Sequence, residues 1–460
     1  MTDPGATSGS SLWRNRDFRR FFAGQFVTNA GDSLYTVAVL WLVFELSQST
    51  VLTGLANSIL LLPWLLQILA GPIVDRLPVK PVLVGSQVLQ GVVVLALPLA
   101  AAMGHLTVGV LLAVVPILTL ATLLMSPMQT TILPRIVEEG QLSRANSALA
   151  TVTLGLDMVF DALGGAFIAV FGVTTLFLFD SVTFAVASLL FAGIAIPAAE
   201  YDSSADEVGT VGCTEEPAEG RAEATDGGSE LPDDDEESLR AVFDSYVDDL
   251  REGIEVLRGT VFVELVLTTA VANFAVGVTL AILPAFGGSL GGPALYGLLL
   301  GALGIGRLVG SLVAPYVESV PYGYLLLVGH GFGACSWLAA VYAPSPALTV
   351  LLFGLAWVPA GMSGVLTATL NQTVFPADML ARVSSTKGTA SGATLPLGSL
   401  LGGVVGEVLG TTTTMGLTAF GFGFTALYVL VRPRLRGLPS VAEAEPEDFA
   451  VTVDSSQTGD

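Results

Sequence analysis

Apolar residues gather into long runs that recur along the whole chain. Twelve runs, at residues 20–46, 52–74, 81–102, 107–133, 147–171, 174–197, 261–285, 294–316, 322–343, 347–371, 386–408 and 412–431, approach the ~20 residues that cross ~30 Å of hydrocarbon. Apolar and polar positions do not alternate with period two, so the runs predict spanning helices and not the strands of a membrane barrel. Gly and Pro recur inside them, as spanning helices tolerate. A long polar segment separates the sixth run from the seventh. Its first part, residues 199–238, is rich in Asp, Glu, Gly, Ser and Thr and is expected to be disordered. In its second part, residues 239–258, Leu239, Phe243, Tyr246, Leu250, Ile254 and Leu257 recur at helical spacing with acids between them. That spacing predicts an amphipathic cytoplasmic helix lying against the bundle. The expected fold class is all-α, a polytopic membrane protein of 12 transmembrane helices arranged as two six-helix pseudo-repeats, residues 20–198 and 261–432. Residues 1–19 form a cytoplasmic N-terminus, and residues 437–460 are expected to be an acidic disordered tail.

Charge sharpens this division. The 460 residues carry 40 Asp and Glu against 18 Lys and Arg, a net charge of −22, yet only 13% are charged. Residues 200–258 hold 20 acids and four Arg, and residues 437–460 hold six acids and no base. The rest is neutral. Its low charge content excludes an ordinary soluble enzyme, and no basic cluster is suited to neutralising nucleic-acid phosphates. Cys213 and Cys335, the two cysteines, offer no disulfide framework or zinc spacing. Bases sit at alternate connections: Arg14, Arg16, Arg19 and Arg20, then Arg76 and Lys80, Arg135 and Arg144, Arg382 and Lys387, and Arg432, Arg434 and Arg436. The intervening connections have none, so both termini are expected on the cytoplasmic side of a plasma membrane. Only two of the 18 bases are Lys. An acid-rich, Lys-poor balance points to a halophilic, haloarchaeal source, where salt screens clustered acids.

The halves echo each other. Gln129-Thr-Thr-Ile-Leu-Pro134 precedes Gly164-Gly165, and Gln372-Thr-Val-Phe-Pro376 precedes Gly402-Gly403, 242 and 238 residues on. Internal repeats of this kind mark transporter architectures. The sharpest motif is Gly71-Pro-Ile-Val-Asp75-Arg76-Leu-Pro-Val-Lys80. It resembles the signature loop of the major facilitator superfamily, Gly-x-x-x-Asp-Arg-x-Gly-Arg-Lys/Arg, with Pro78 in place of the second Gly. The resemblance implies that Gly71, Asp75, Arg76 and Lys80 form a gating loop. Three further stretches are similar to the drug:proton antiporter-like efflux subgroup, which includes macrolide and enterobactin exporters. They are Leu133-Pro134 with Ala145-Asn146-Ser147-Ala148-Leu149, Phe177-Leu-Phe-Asp180-Ser-Val-Thr-Phe184, and Phe375-Pro376-Ala377-Asp378 with Ala381-Arg382-Val383. The second-half counterpart of the signature loop, Gly310-Ser-Leu-Val-Ala314-Pro315, lacks the acid.

Chemistry inside the runs is sparse. Asp32 lies ~18 Å along the first run at ~1.5 Å per residue, near mid-bilayer. Asp157 and Asp161 are four apart and share a helix face. A carboxylate at that depth is costly and has to face a cavity or carry a proton. Asp32, Asp157 and Asp161 are therefore proton-coupling candidates. The competing reading is polar packing against Asn29, Thr153 or similar side chains. Asp180, within a family motif, reads as structural, and Glu45 and Glu407 read as solvated at the membrane face. Arg307 is the only base deep in a run, so it either meets substrate or an acid, or snorkels to an interface. Asn29, Trp64, Gln67, Gln90, Gln129 and Asn273 complete the substrate-cavity candidates. Gly398, Gly402, Gly406 and Gly410 recur every four residues and are expected to pack a helix closely.

The expected function is a secondary active transporter, namely proton-coupled efflux of small amphipathic molecules by alternating access. It would use the proton gradient, no cofactor and no metal, and act as a monomer in the lipid bilayer. A lipid or lysolipid flippase, or a small-solute importer on the same fold, is the alternative. An intramembrane enzyme fails on motif: Asp32 follows Asn29-Ala30-Gly31, and His105 and His330 are isolated. A sensor or scaffold acting through the acidic loop is a third class.

Overall fold

The computed structural model describes residues 12–63, 78–123, 125–195 and 251–449, except 252, 253 and 256. Its named elements are all helical. In chain order they are α1 (Arg16–Ser47), α2 (Thr50–Leu60), α3 (Val79–Ala102), α4 (Val108–Leu123), α5 (Met125–Ile136), α6 (Leu142–Phe171) and α7 (Val173–Ala192) in the first half. The second half holds α8 (Val261–Gly291), α9 (Pro293–Val313), α10 (Tyr322–Val341), α11 (Pro346–Val374), α12 (Ala377–Gly392), α13 (Thr394–Leu409), α14 (Thr411–Thr418) and α15 (Phe420–Val431). By length and composition, nine helical segments among the described residues can cross a membrane. Shorter apolar helices at Thr50–Leu60, Val108–Leu123 and Val159–Phe171 mark the second, fourth and fifth spans. The fourth, eleventh and twelfth spans are each built from two consecutive helices.

Local chemistry sets the ends more than hydropathy does. The first helix begins four residues before its apolar run because Asn15 caps it, its Oδ1 accepting from the amides of Asp17 and Phe18 at 3.0 Å each. Such caps satisfy amides that the helix leaves unbonded. Gly172, Gly292 and Gly410, with φ of 79°, 96° and 82°, each form the whole connection between two successive helices. Without a Cβ, Gly adopts this backbone freely and lets a span reverse within one residue. Gly410 accordingly departs from the expected stripe. It lies beyond the end of α13, and nothing lies within 4 Å of where its Cβ would be.

In the first half α1 packs on α6 and α7, and α3 packs on α7. In the second, α9 packs on α11, α8 on α13, and α10 on α11 and α15. Both described chain termini lie at one end of the bundle. Asn15 Nδ2 donates to the Ile136 carbonyl (2.6 Å), and the residues after α15 pack under the second half. The opposite end, carrying residues 47–50, 103–107, 172, 292, 342–345 and 410, is termed the remote end.

The tail corrects an expectation. Residues 437–449 are not a disordered acidic extension. Leu438, Val441, Ala444 and Phe449 are buried in the second half's core. The Tyr322 amide donates to the Pro439 carbonyl at 2.9 Å, and Phe449 stacks on Phe262 with centroids 5.4 Å apart. Phe262 in turn packs on Phe375 at 4.7 Å. A count of acids overlooked apolar residues at 438, 441, 444 and 449, with the acids between them pointing outward. Residues 450–460, like most of 199–258, lie outside the described residues.

Phe449 is 0% exposed, so Phe449→Ala should remove about 3–5 kcal/mol of packing and lower the melting temperature of the purified protein. The nearby exposed change Glu447→Ala should leave it unmoved.

Candidate functional site

The two halves meet at the remote end, where small residues let backbones touch. Gly165 of α6 lies against Gly297 of α9, where a Cβ on Gly297 would come within 2.6 Å of the Gly165 Cα. One turn along, Ala162 fills the space facing Gly301. Trp41 of α1 stacks on Tyr296 of α9, with ring centroids 6.0 Å apart. The second contact joins α2 to α13. Thr50 Oγ1 donates to the Gly403 carbonyl (2.7 Å), Asn57 Nδ2 donates to Ser399 Oγ (2.9 Å), and Ser399 Oγ donates to the Gly54 carbonyl (3.1 Å).

Glu407 completes this contact and is not simply solvated. Its Oε2 accepts from the Thr50 amide (3.0 Å), Thr50 Oγ1 (3.2 Å) and Ser49 Oγ (3.3 Å). A carboxylate from one half thereby caps the N-terminus of a helix in the other, where the helix dipole favours negative charge. Three glycines of the expected stripe line α13. Gly398 meets the Phe274 carbonyl, Gly402 meets Val278, and Gly406 meets both Ile282 of α8 and Thr50 of α2. Among the described residues, no comparable packing joins the halves at the terminus-bearing end.

The first helix carries the polar face between the halves. Phe26, Asn29, Asp32 and Thr36 are its less buried positions at successive helical turns, amid mostly buried neighbours. Helices α2, α4, α6 and α7 occupy its other sides, and α8 touches it only near the remote end. This stripe therefore faces the gap between the halves.

Asp32 also borders a second space, inside the first half. A cavity of about 120 Å³ is lined by Asp32 and Tyr35 of α1, Gln90 of α3, Thr119 and Thr122 of α4, and Asp180 of α7. Asp180 is 0% exposed. Its Oδ1 accepts from Thr183 Oγ1 at 3.2 Å. Among the described residues its Oδ2, the Tyr35 hydroxyl and Thr119 Oγ1 are buried with no hydrogen-bond partner. Three such atoms around one cavity are unusual, because buried polar groups are nearly always bonded. The fit between α1 and α7 depends on Gly31: a Cβ there would collide with Asp180 Oδ1 and Thr183 Oγ1.

The other candidates are dispersed. Gln90 donates to the Ser86 carbonyl (3.2 Å) and accepts from Thr122 (3.2 Å), so it serves the inner cavity and not the gap. Asn29 donates to the Gln25 carbonyl at 2.7 Å. Asn273 donates to the Ser391 carbonyl at 3.0 Å and ties α8 to the end of α12. Lys80 donates to the Ile194 carbonyl at 2.8 Å. Asp161 sits one turn from Gly165, within electrostatic reach of Tyr296. Arg307 is exposed midway along α9. Trp64, Gln67, Gly71, Asp75 and Arg76 lie outside the described residues, as do the side chains of Gln129 and Asp157. Asp180, which reads as structural from sequence, also lines the cavity beside Asp32. Its one legible signal is the Gly31-Asp32 pair, a small residue beside an intramembrane acid.

Polar groups gathered around one part-open cavity of the first half and along the stripe of α1, between two apolar helical halves, suit a polytopic membrane transporter. The sequence profile of the Major Facilitator Superfamily matches residues 21–384, and the chain belongs to that superfamily of secondary transporters. No curated protein matches the sequence. Among solved structures, it is similar to a bacterial homologue of the human lysosomal transporter Spinster. The two are 12% identical over 96% of this chain and 99% of that one, with a TM-score of 0.65. The nucleoside transporter NupG is 12% identical over 90% and 98%, with a TM-score of 0.64. A bacterial homologue of the iron transporter ferroportin is 16% identical over 92% and 99%, with a TM-score of 0.62. At these identities the likeness shows the fold. Among the described residues, no group of three or more His, Cys, Asp or Glu is placed to hold a metal.

Overpacking the contact between α6 and α9 should open the remote end. Gly165→Val adds on the order of 1–3 kcal/mol of strain to the closed form. A cysteine at Ser399, 0% exposed here, should then react faster with an impermeant maleimide in a background lacking Cys213 and Cys335. Glu407→Gln should act in the same direction by about 0.3–1 kcal/mol.

Proposed function

We propose that the chain is a proton-coupled exporter of small amphipathic molecules, in a plasma membrane, with both termini cytoplasmic. The alternation of Arg and Lys between connections supports that orientation, which makes the remote end the outer one. The closed outer contact then belongs to a conformation open toward the cytoplasm. The observation that carries the reading is the position of Asp32, an acid on the gap-facing stripe that also lines the cavity of the first half. A proton arriving there changes the charge of the surface that meets cargo. It can shift the balance of conformers only by the difference in its affinity for the two. Phe26 beside Asn29, Asp32 and Thr36 gives that surface both apolar and polar character, which suits an amphipathic cargo. The fold does not select the cargo. The gating loop around Asp75 and Arg76 would secure the opposite end when the outer end opens, and the transporter would work as a monomer.

Asp32→Asn should abolish uptake driven by a pH gradient into inverted vesicles while the purified protein keeps its melting temperature. Unchanged gradient-driven uptake would remove Asp32 from the mechanism. Deleting residues 202–236 should leave transport intact if the acidic segment is a tether.

A further inference from the structure

We propose that Lys387 holds an oxyanion of the cargo, so that the exported class is amphiphiles bearing a carboxylate, sulfonate or phosphate group. This rests on the reading of the gap as the cargo path and names the charge that the path selects. Lys387 reads from sequence as a base of a cytoplasmic connection, but it stands within α12, with partners on α8 and α11. Its Nζ donates to Asn371 Oδ1 of α11 and lies 4.1 Å from the ring centre of Phe262, in the first turn of α8. Both partners are neutral. The ion pairs among the described residues, Arg20 with Asp17 and Arg432 with Glu264, do not include it. An ammonium half-buried in a span is costly without an anion. It has three donors, so Asn371 and Phe262 orient it and leave donors for an oxyanion.

The surroundings place this group on the gap and not on lipid. Gly364, Ala368 and Gln372 are exposed at successive turns of α11, and Asn371 belongs to the same side. On α12, Ser384 and Gly388 flank Lys387 and are exposed. A Cβ on Gly364 or Gly388 would meet nothing within 4 Å. A face turned to lipid is bulky and apolar, as at Leu351 and Leu355, exposed on the opposite side of α11. An ionisable side chain in a span belongs on a face that meets water or cargo. Lys387 lies toward the terminus-bearing end, since Phe262 also stacks on Phe449 of the tail. An anionic head bound there leaves its apolar body to the gap, where Phe26 of α1 is exposed.

The test is equilibrium binding to the full-length protein in phosphatidylcholine nanodiscs, without a proton gradient and with binding to empty nanodiscs subtracted. Three probes share one apolar body: anionic naphthoate, neutral naphthamide and cationic naphthylmethylammonium. The wild type should bind naphthoate most tightly. Lys387→Met should weaken naphthoate about tenfold or more and leave naphthamide unchanged, while Lys387→Arg should keep the preference. Asn371→Asp gives the ammonium a carboxylate from within the protein. It should weaken naphthoate in the same way, and it decides the matter if Lys387→Met does not fold. A wild type that does not prefer naphthoate would overturn the proposal. So would a variant that weakens all three probes alike, as loss of a packing residue would, or Asn371→Asp with naphthoate binding unchanged. Gradient-driven uptake that survives Asp32→Asn would defeat the proton-coupling reading separately, with the charge of the cargo still judged by the binding series.

Discussion

Hydrocarbon offers no hydrogen-bond partner, and the rest of the structure depends on that constraint. Every backbone group in a span has to be satisfied within its own helix, which is why the named elements are helical. Side chains obey the same demand. Ser and Thr hydroxyls in the spans bond to carbonyls three or four residues back, as at Ser33, Thr279 and Thr349. The polar atoms left without protein partners then stand out, and three of them surround one cavity. A transporter places polarity where charge is to be moved and removes it elsewhere.

The constraint also shapes how the halves meet. Water-driven association of apolar faces is absent within the bilayer, so contact relies on close packing and on hydrogen bonds. Gly165 against Gly297 supplies the first, and Glu407 on the N-terminus of α2 supplies the second. Contacts made by glycines and one carboxylate can separate without exposing a large apolar core. Asp32 and Asp180 stand on α1 and α7, while the junction uses α2, α6, α9 and α13. The cavity and the junction are joined through α1, which lines the one with Asp32 and meets the other with Trp41.

Much of the architecture was legible in the sequence because burial in lipid writes long apolar runs that no turn chemistry obscures. The twelve spans, the division into halves and the superfamily follow from hydropathy, the distribution of Arg and the signature loop. Helix ends were less legible, since Asn15 and single glycines such as Gly410 set them through local backbone demands. The packed tail was hidden because acids at 443, 445, 447 and 448 mask apolar residues that matter only once a surface exists to receive them. The carboxyl site was half legible. Asp32 announces itself by depth, but the cavity that it lines together with Asp180 joins residues 148 positions apart, and nothing local encodes that meeting. Four-residue spacing also singles out Asp157 and Asp161, of which Asp161 stands within electrostatic reach of Tyr296 at the junction.

The central claim is that protonation at Asp32 governs closure of the remote end. Spin labels at His105 and Thr412, exposed at the remote end of opposite halves, report that closure directly once Cys213 and Cys335 are replaced. Electron–electron distance measurements in lipid should show one short population at acidic pH. A second, longer population should appear at alkaline pH and vanish in Asp32→Asn. A distance distribution that ignores pH, or one whose pH response survives Asp32→Asn, would contradict the account.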